Sequence, residues 1–305
     1  MAEYGIGTYG AGPYSADGAG AIAEWGIQWR GALWGYPASN WALTSLNGWN
    51  SWTMRGSNVE RPARHGSFPG LKRINERVIE AELTAMADDW TMLPALRAIC
   101  AYDEDPVEEE LVIWAGDAFP MLVHGRLERQ AIPTDHEWSV GHHRAVLQWT
   151  CSDPRRYSIT ESTSLTIGLP SAGPVGLNFP LTFPLAFGSG GSSNSTIVAN
   201  AGDVATWPIF TITGPVTGPV ITNSTTGQKL QFSPSFTVGA GQTLVIDTDQ
   251  RAVTLDGVSR SGELVTREWF PLPPARSGST TITFSGSGAY SPSAGLVAKW
   301  RDAYS

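Results

Sequence analysis

The sequence predicts a mainly β protein in two parts, a first part with one short helix and a second part that is an antiparallel β-sandwich. Three observations lead there. Short runs such as RVIEAELT (77–84) and IFTIT (209–213) alternate apolar and polar residues, and a period of two places one face of an extended chain in a core and the other in water. In the second half such runs recur at intervals of roughly 10–15 residues with turn pairs such as Thr226-Gly227 and Asp256-Gly257 between them, a closed antiparallel pattern with no βαβ alternation. Finally, 305 residues exceed one average core, so two domains are expected. The divisions expected are an arm at 1–24, flexible or bridging subunits, a domain at 25–159, a Pro/Gly/Ser-rich linker at 160–196 and a sandwich at 197–305.

Each element follows in order. Residues 1–24 are dominated by Gly, Ala, Tyr and Ser and show neither period. Six tryptophans then fall within 28 residues: Trp25, Trp29, Trp34, Trp41, Trp49 and Trp52. They fill either an irregular core or an interface, where Trp is enriched, or they form a stacking platform for sugars or bases. In 77–84, Ile79, Ala81 and Leu83 share the buried face of a strand. ADDWTMLPALRAIC changes period: Leu93, Leu96, Arg97 and Cys100 share a helical face, Asp88 or Asp89 can cap it, and Pro94 confines the start to about Leu93. DEDPVEEE (103–110) carries six acidic groups and reads as a solvated loop. ELVIWAG, MLVHGRLERQAI and HHRAVLQWTCSD follow as strands, the last with Ala145, Leu147, Trp149 and Cys151 inward. In 160–196 the prolines at 180 and 184 forbid a helix, and Phe179, Phe183 and Phe187 would dock an extended connector on a domain surface. In the second half, Trp207-Pro208 marks the entrance to an edge strand, because Pro donates no ladder bond, and Phe210 and Ile212 form the apolar set of IFTIT.

Composition narrows the function. The hydrophobic fraction of 41% can bury a proper interior, while charged residues make up only 16%, below the usual quarter of about 25%. Obligate oligomers, which hide surface, and all-β proteins both run low in charge. A net charge of −8 argues against gripping DNA through its phosphates, though not against a pore that DNA traverses. The first residues lack the basic head and apolar run of a signal peptide, and no apolar stretch is long enough to span a membrane. Cys100 and Cys151 are expected as two buried, reduced thiols.

Motifs for chemistry are missing. Gly188-Ser189-Gly190-Gly191-Ser192 sits in the linker and is no nucleophile elbow. HExxH and paired CxxC are absent. His142 and His143 are adjacent, so on a strand they point to opposite faces; His65, His124 and His136 complete the set. Asp247 and Asp249 could bind calcium or act as acid and base, but an Asp turn leading into AVTLDG accounts for them more simply. Asp203 reads as a turn residue bonding backbone amides. No catalytic, cofactor-binding or metal-binding residue is assigned, and no cofactor is expected.

The order of three segments carries a family resemblance: NAGDVATWPIFTITGPVTGPVITNSTTG (200–227), AGQTLVIDTDQRAVTLDG (240–257) and REWFPLPPARSGSTTITFSGSG (267–288). They resemble the C-terminal region of distal tail proteins, also known as minor tail proteins, of long non-contractile-tailed bacteriophages. LNGWNSW (46–52), 64–85 and WTCSDPRRYS (149–158) resemble that family's N-terminal domain more loosely. The resemblance implies a tail-tube-like, ring-forming domain followed by a galectin-like sandwich. It further implies a structural protein of the virion tail tip, with no enzymatic activity. The implied partners are five further copies in a homohexamer, the major tail tube protein, the tail-tip hub or tail-associated protein, and the tape measure protein, with DNA only in transit through the lumen and no membrane insertion. The acidic run at 103–110 would face that lumen. The alternative is a carbohydrate-binding module meeting a host glycan through the C-terminal sandwich, with Trp207 and Trp269 as the candidate aromatics; a cell-wall glycosidase would need a carboxylate pair that does not stand out.

Overall fold

The computed structural model describes residues 25–86, 92–104, 107–117, 119–169, 194–287 and 294–305. The 1–24 arm, Asp88, Asp89, Phe179, Phe183 and Phe187 lie outside the described residues. The chain divides into two compact units, residues 1–154 and 155–305.

The first unit opens with β1 (Trp25–Trp29), β2 (Ala32–Trp34) and β3 (Trp41–Asn47), continues through a hairpin arm, and resumes with β8 (Arg77–Ala85), helix α1 (Met92–Ile99), β9 (Glu109–Ala115), β10 (Met121–Ala131), a one-turn helix α2 (His136–Ser139) and β11 (Arg144–Cys151). The arm carries β4 (Met54–Gly56), β5 (Val59–Glu60), β6 (Ser67–Phe68) and β7 (Lys72–Ile74). The main strands run β2-β1-β9-β10-β11-β8-β3, antiparallel throughout. The sheet curls until its margins meet: the Trp25 indole on β1 donates to the Leu43 carbonyl on β3 at 2.8 Å. Alternation decides what lies inside. Ile79, Ala81, Leu83, Ala145, Leu147, Trp149 and Cys151 are all buried, as their period requires. Trp29 meets Trp149 edge-on at 5.9 Å, and Trp34 lies at 6.3 Å from the same indole. Of the six clustered tryptophans, four are core; Trp25 and Trp52 are exposed.

Helix α1 buries Leu93 and Leu96, and Cys100 follows them inward. Arg97, expected on the same face, is exposed, because a guanidinium finds water more cheaply than a partner there. Expecting one helix in this half needs correcting, since α2 is a second. Asp135 accepts from the Trp138 amide at 3.2 Å, an N-cap that PTDHEW carries in its sequence. That bond, assisted by Arg144, holds the Asp135 carboxyl below its ordinary range.

The second unit is two facing antiparallel sheets. Its strands are β12 (Arg156–Ser158), β13 (Ser162–Thr163), β14 (Ile167–Gly168), β15 (Ser195–Val198), β16 (Ile209–Thr213), β17 (Val216–Asn223), β18 (Lys229–Phe232), β19 (Thr237–Val238), β20 (Thr243–Asp247), β21 (Ala252–Leu255), β22 (Val258–Ser259), β23 (Leu264–Arg267), β24 (Thr280–Ser287), β25 (Gly295–Trp300) and β26 (Ala303–Tyr304). One sheet runs β13-β25-β16-β20-β21-β22, with β14 also on β25; the other runs β15-β24-β17-β18-β23, with β19 on β17. Their inner faces share a single core that includes Phe210, Ile212, Ile221, Phe232, Ile246, Phe270, Phe284 and Leu296. Within the 160–196 stretch expected as a linker, Ser162–Thr163 and Ile167–Gly168 pair with β25, and Ser195–Val198 pairs with β24.

One expectation is overturned. The strand after Trp207-Pro208 is no edge: β16 pairs with β20 on one side and β25 on the other. Pro208 precedes the first paired residue, Ile209, so its missing N–H costs the ladder nothing. Instead its carbonyl accepts from the Thr248 hydroxyl at 2.6 Å, with Thr248 fully buried.

Candidate interaction surface

Residues 48–76 form the long loop of the β3/β8 hairpin, and its base is built around one buried cation. Arg77 is 5% exposed. Its guanidinium donates to the carbonyls of Gly48 at 3.2 Å, Trp49, and Pro154 at 2.9 Å. A cation among carbonyl dipoles is stabilised by several charge-assisted bonds without a buried carboxylate. Gly48 is obligatory: its φ is +82°, and a Cβ there would lie 1.8 Å from the Val78 carbonyl oxygen. Beyond the base, Asn75 binds Thr53 through backbone (2.9 Å) and side chain (2.9 Å). Two short ladders follow, Met54–Gly56 on Lys72–Ile74 and Val59–Glu60 on Ser67–Phe68. The chain crosses itself closely where a Cβ on Gly70 would meet the Ser57 carbonyl oxygen at 1.8 Å. Arg61 lies over the Phe68 ring at 4.9 Å.

The arm buries almost nothing. From Ser51 to Arg73 every residue is exposed except Ser67 and Gly70. Trp52, Met54, Val59, Phe68 and Leu71 stand in solvent, Leu71 at 87% exposure. Sequence reasoning did not single out this arm. Its signal was charge: residues 52–74 hold five basic side chains and one acid, Glu60, inside a unit where residues 1–154 hold 20 acids and 11 bases. Residues 155–305 are near neutral, with 8 acids and 9 bases.

The acidic run at 103–110 is partly consumed within the unit. Arg30, held at φ +48°, pairs with Glu109 at 2.6 Å and Asp103 at 3.6 Å. It also donates to the carbonyls of Ile99 (3.2 Å) and Ala101 (3.3 Å) and lies over Trp29 at 4.4 Å. The hydrogen bond that Arg30 donates to Glu109 leads the causes that raise the Arg30 pKa. Glu108 accepts from the Ser152 amide at 2.7 Å.

In the second unit, the segment Asn200-Ala201-Gly202-Asp203 clasps residues 302–305. Asn200, buried, accepts from the amides of Gly202 at 2.9 Å and Ala303 at 3.2 Å and donates to the Val204 carbonyl at 2.6 Å. Asp302 accepts from the Ala201 amide at 2.9 Å. Asp203 does bond a backbone amide, but a distant one: Ser305 N at 2.7 Å, with its hydroxyl at 2.9 Å. Asp247 accepts from the amides of Asp249 and Gln250, both at 2.9 Å, so the Asp turn is real; Asp249 pairs with Arg155 at 3.3 Å.

The remaining candidates do not converge. His142 is exposed while His143 is buried against Trp138. Among the described residues no group of three or more His, Cys, Asp or Glu side chains is placed to hold a metal. Cys100 and Cys151 are buried and unpaired, and burial pushes both thiols up to about 12. Trp207 and Trp269 are half-buried, Trp269 against the core. A shallow hollow of ≈ 420 Å³ bordered by Thr237, Gln242, Arg260 and Glu263 presents one aromatic, Phe236, itself 9% exposed and stacked on Phe232. No described helix is long and apolar enough to cross a membrane.

Residues 201–304 match the family model described as "Siphovirus-type tail component, C-terminal domain". Among solved structures, the Dit protein of phage SPP1, described as a paradigm of the hub adsorption apparatus in phages infecting Gram-positive bacteria, aligns with a TM-score of 0.63 and 14% identity, covering 92% of this chain and 99% of that one. Two baseplate structures of phage p2 in its activated conformation, with Ca and with Sr, align at TM-scores of 0.47 and 0.48. Both are 10% identical, covering 85% and 91% of this chain and 94% and 96% of theirs. No curated protein matches. Residues 201–304 are thus similar to a siphovirus-type tail component domain, and the chain has a Dit-like, mainly β fold.

Proposed function

We propose that this phage distal tail protein, a structural component of the virion tail, acts as a ring-forming adaptor. Six copies would close around a channel at the tail tip, joining the tail tube protein on one side to the hub on the other, next to the tape measure protein. One observation supports it most: the Dit-like fold extends over both units in one chain, at 92% coverage. The physics is compatible. A closed ring joins two different patches head to tail, and a permanent joint needs on the order of 1,600 Å² or more buried, which an exposed apolar arm and a charge-poor sequence can supply. A net charge of −8, concentrated in the first unit, would let DNA pass without binding. The role is mechanical and needs no reacting side chain.

Light scattering and electron microscopy of the purified full chain test this. The expected particle is a ring six times the 32.7 kDa chain mass, or paired rings. A homogeneous monomer at micromolar concentration would overturn it.

A further inference from the structure

We infer that the 52–74 arm is a clasp that seats on the outward face of β8 in a neighbouring copy of this chain; the inference rests on the ring proposed above and names one of its joints. An isolated two-stranded hairpin is marginal in water, and this one holds only a three-pair and a two-pair ladder. Yet it concentrates five large exposed apolar side chains, Trp52, Met54, Val59, Phe68 and Leu71. Such a concentration marks a surface that is covered in the working state. The arm is also presented by a fixed base, since Arg77 and Gly48 leave its root no alternative path.

Charge selects the occupant. The side chains of Arg55, Arg64, Lys72 and Arg73 make no ion pair or hydrogen bond among the described residues. The same chain supplies the complement. On β8, Val78, Glu80, Glu82 and Thr84 alternate with the buried set and so face outward. Glu80 lies opposite Gln148 and Asn47, Glu82 opposite Val146 and Ser45. Neither carboxylate has an ion-pair or hydrogen-bond partner among the described residues, and Val78 is 40% exposed. An apolar, cationic arm thus has a mixed apolar and anionic face to meet, and both surfaces stand open within a single copy. Two different patches meeting head to tail is the contact a closed ring requires, and opposed charge fixes its register and rejects wrong partners.

The test is a charge-reversal exchange on the full chain. The triple variant Arg55→Glu, Lys72→Glu, Arg73→Glu changes only exposed side chains and should keep the wild-type thermal transition. In sedimentation velocity it should lose the assembled species, with association weakened at least tenfold. The double variant Glu80→Lys, Glu82→Lys should fail in the same way. Mixed one to one, the two variants should regain the wild-type particle, because alternating copies set a reversed arm on a reversed face and a native arm on a native face. Assembly of the triple variant at wild-type strength, or failure of the mixture to recover, overturns the clasp. So would a triple variant that forms rings but no longer joins purified tail tube protein, since the arm would then serve the tube. A wild-type chain that never assembles instead brings down the ring, and the clasp with it.

Discussion

Arg77 and Pro154 are tied by a 2.9 Å hydrogen bond from Nε to the carbonyl, which fastens the start of β8 to the end of the first unit. The same guanidinium holds Gly48 and Trp49. One side chain thereby closes the root of the arm and the last residue of its unit. Truncating it removes the donor from the buried Trp49 carbonyl and from the half-buried carbonyls of Gly48 and Pro154, and a buried acceptor left without a donor costs about 1–3 kcal/mol. Arg77→Ala should lose about 3 kcal/mol or more, and lower the Tm of the first transition by roughly 10 °C in circular dichroism. Arg77→Lys should recover only part of this, since an ammonium cannot span the same set of acceptors.

A second prediction concerns Gly202. A Cβ there would lie 1.8 Å from the Ala303 carbonyl oxygen, so the clasp on residues 302–305 must open. Gly202→Ala should destabilise the second unit by about 2 kcal/mol or more, as backbone overpacking does, and speed amide exchange at Ala303 and Ser305. Gly262, with nothing within 4 Å of its Cβ position and no positive φ, is the control; Gly262→Ala should leave the melting curve unchanged.

The thiols set an alkaline limit. Cys100 and Cys151 ionise near 9.0 when unfolded and about 12 when folded, chiefly because burial disfavours the thiolate. Their folded pKa is raised, so the stability they lend is whole below pH 9 and declines as pH rises from about 9 toward 12. At pH 8 a thiol reagent should label neither cysteine in the native chain and both after denaturation. Rapid native labelling of either would contradict their burial.

Arg30 organises the acidic loop. Removing it releases Asp103 and Glu109 and the carbonyls of Ile99 and Ala101 together. Because the Arg30 side chain is partly exposed, its ion pairs are screened, and the expected loss is small, about 1 kcal/mol. The clearer readout is limited proteolysis: Arg30→Ala should open new cleavage between residues 101 and 108 while the rest of the unit stays resistant. An unchanged digestion pattern would show that the loop is held by other contacts.

What the sequence alone determined is what period two can carry. It placed Ile79, Ala81 and Leu83, Phe210 and Ile212, and Ala145 through Cys151 on buried faces, because alternation on an extended chain is a local property. It also found the Asp247 turn, whose acceptor and donors are two and three residues apart. Only the tertiary structure decided the neighbours. That β16 is central, that Asp203 receives Ser305 from 102 positions away, that Arg77 gathers carbonyls from Gly48 to Pro154, and that the 52–74 arm is exposed while Glu80 and Glu82 have no ion-pair partner among the described residues all depend on strand order. Alternation tells a strand which face to bury, and nothing in it names the strand, or the copy, that it will lie against.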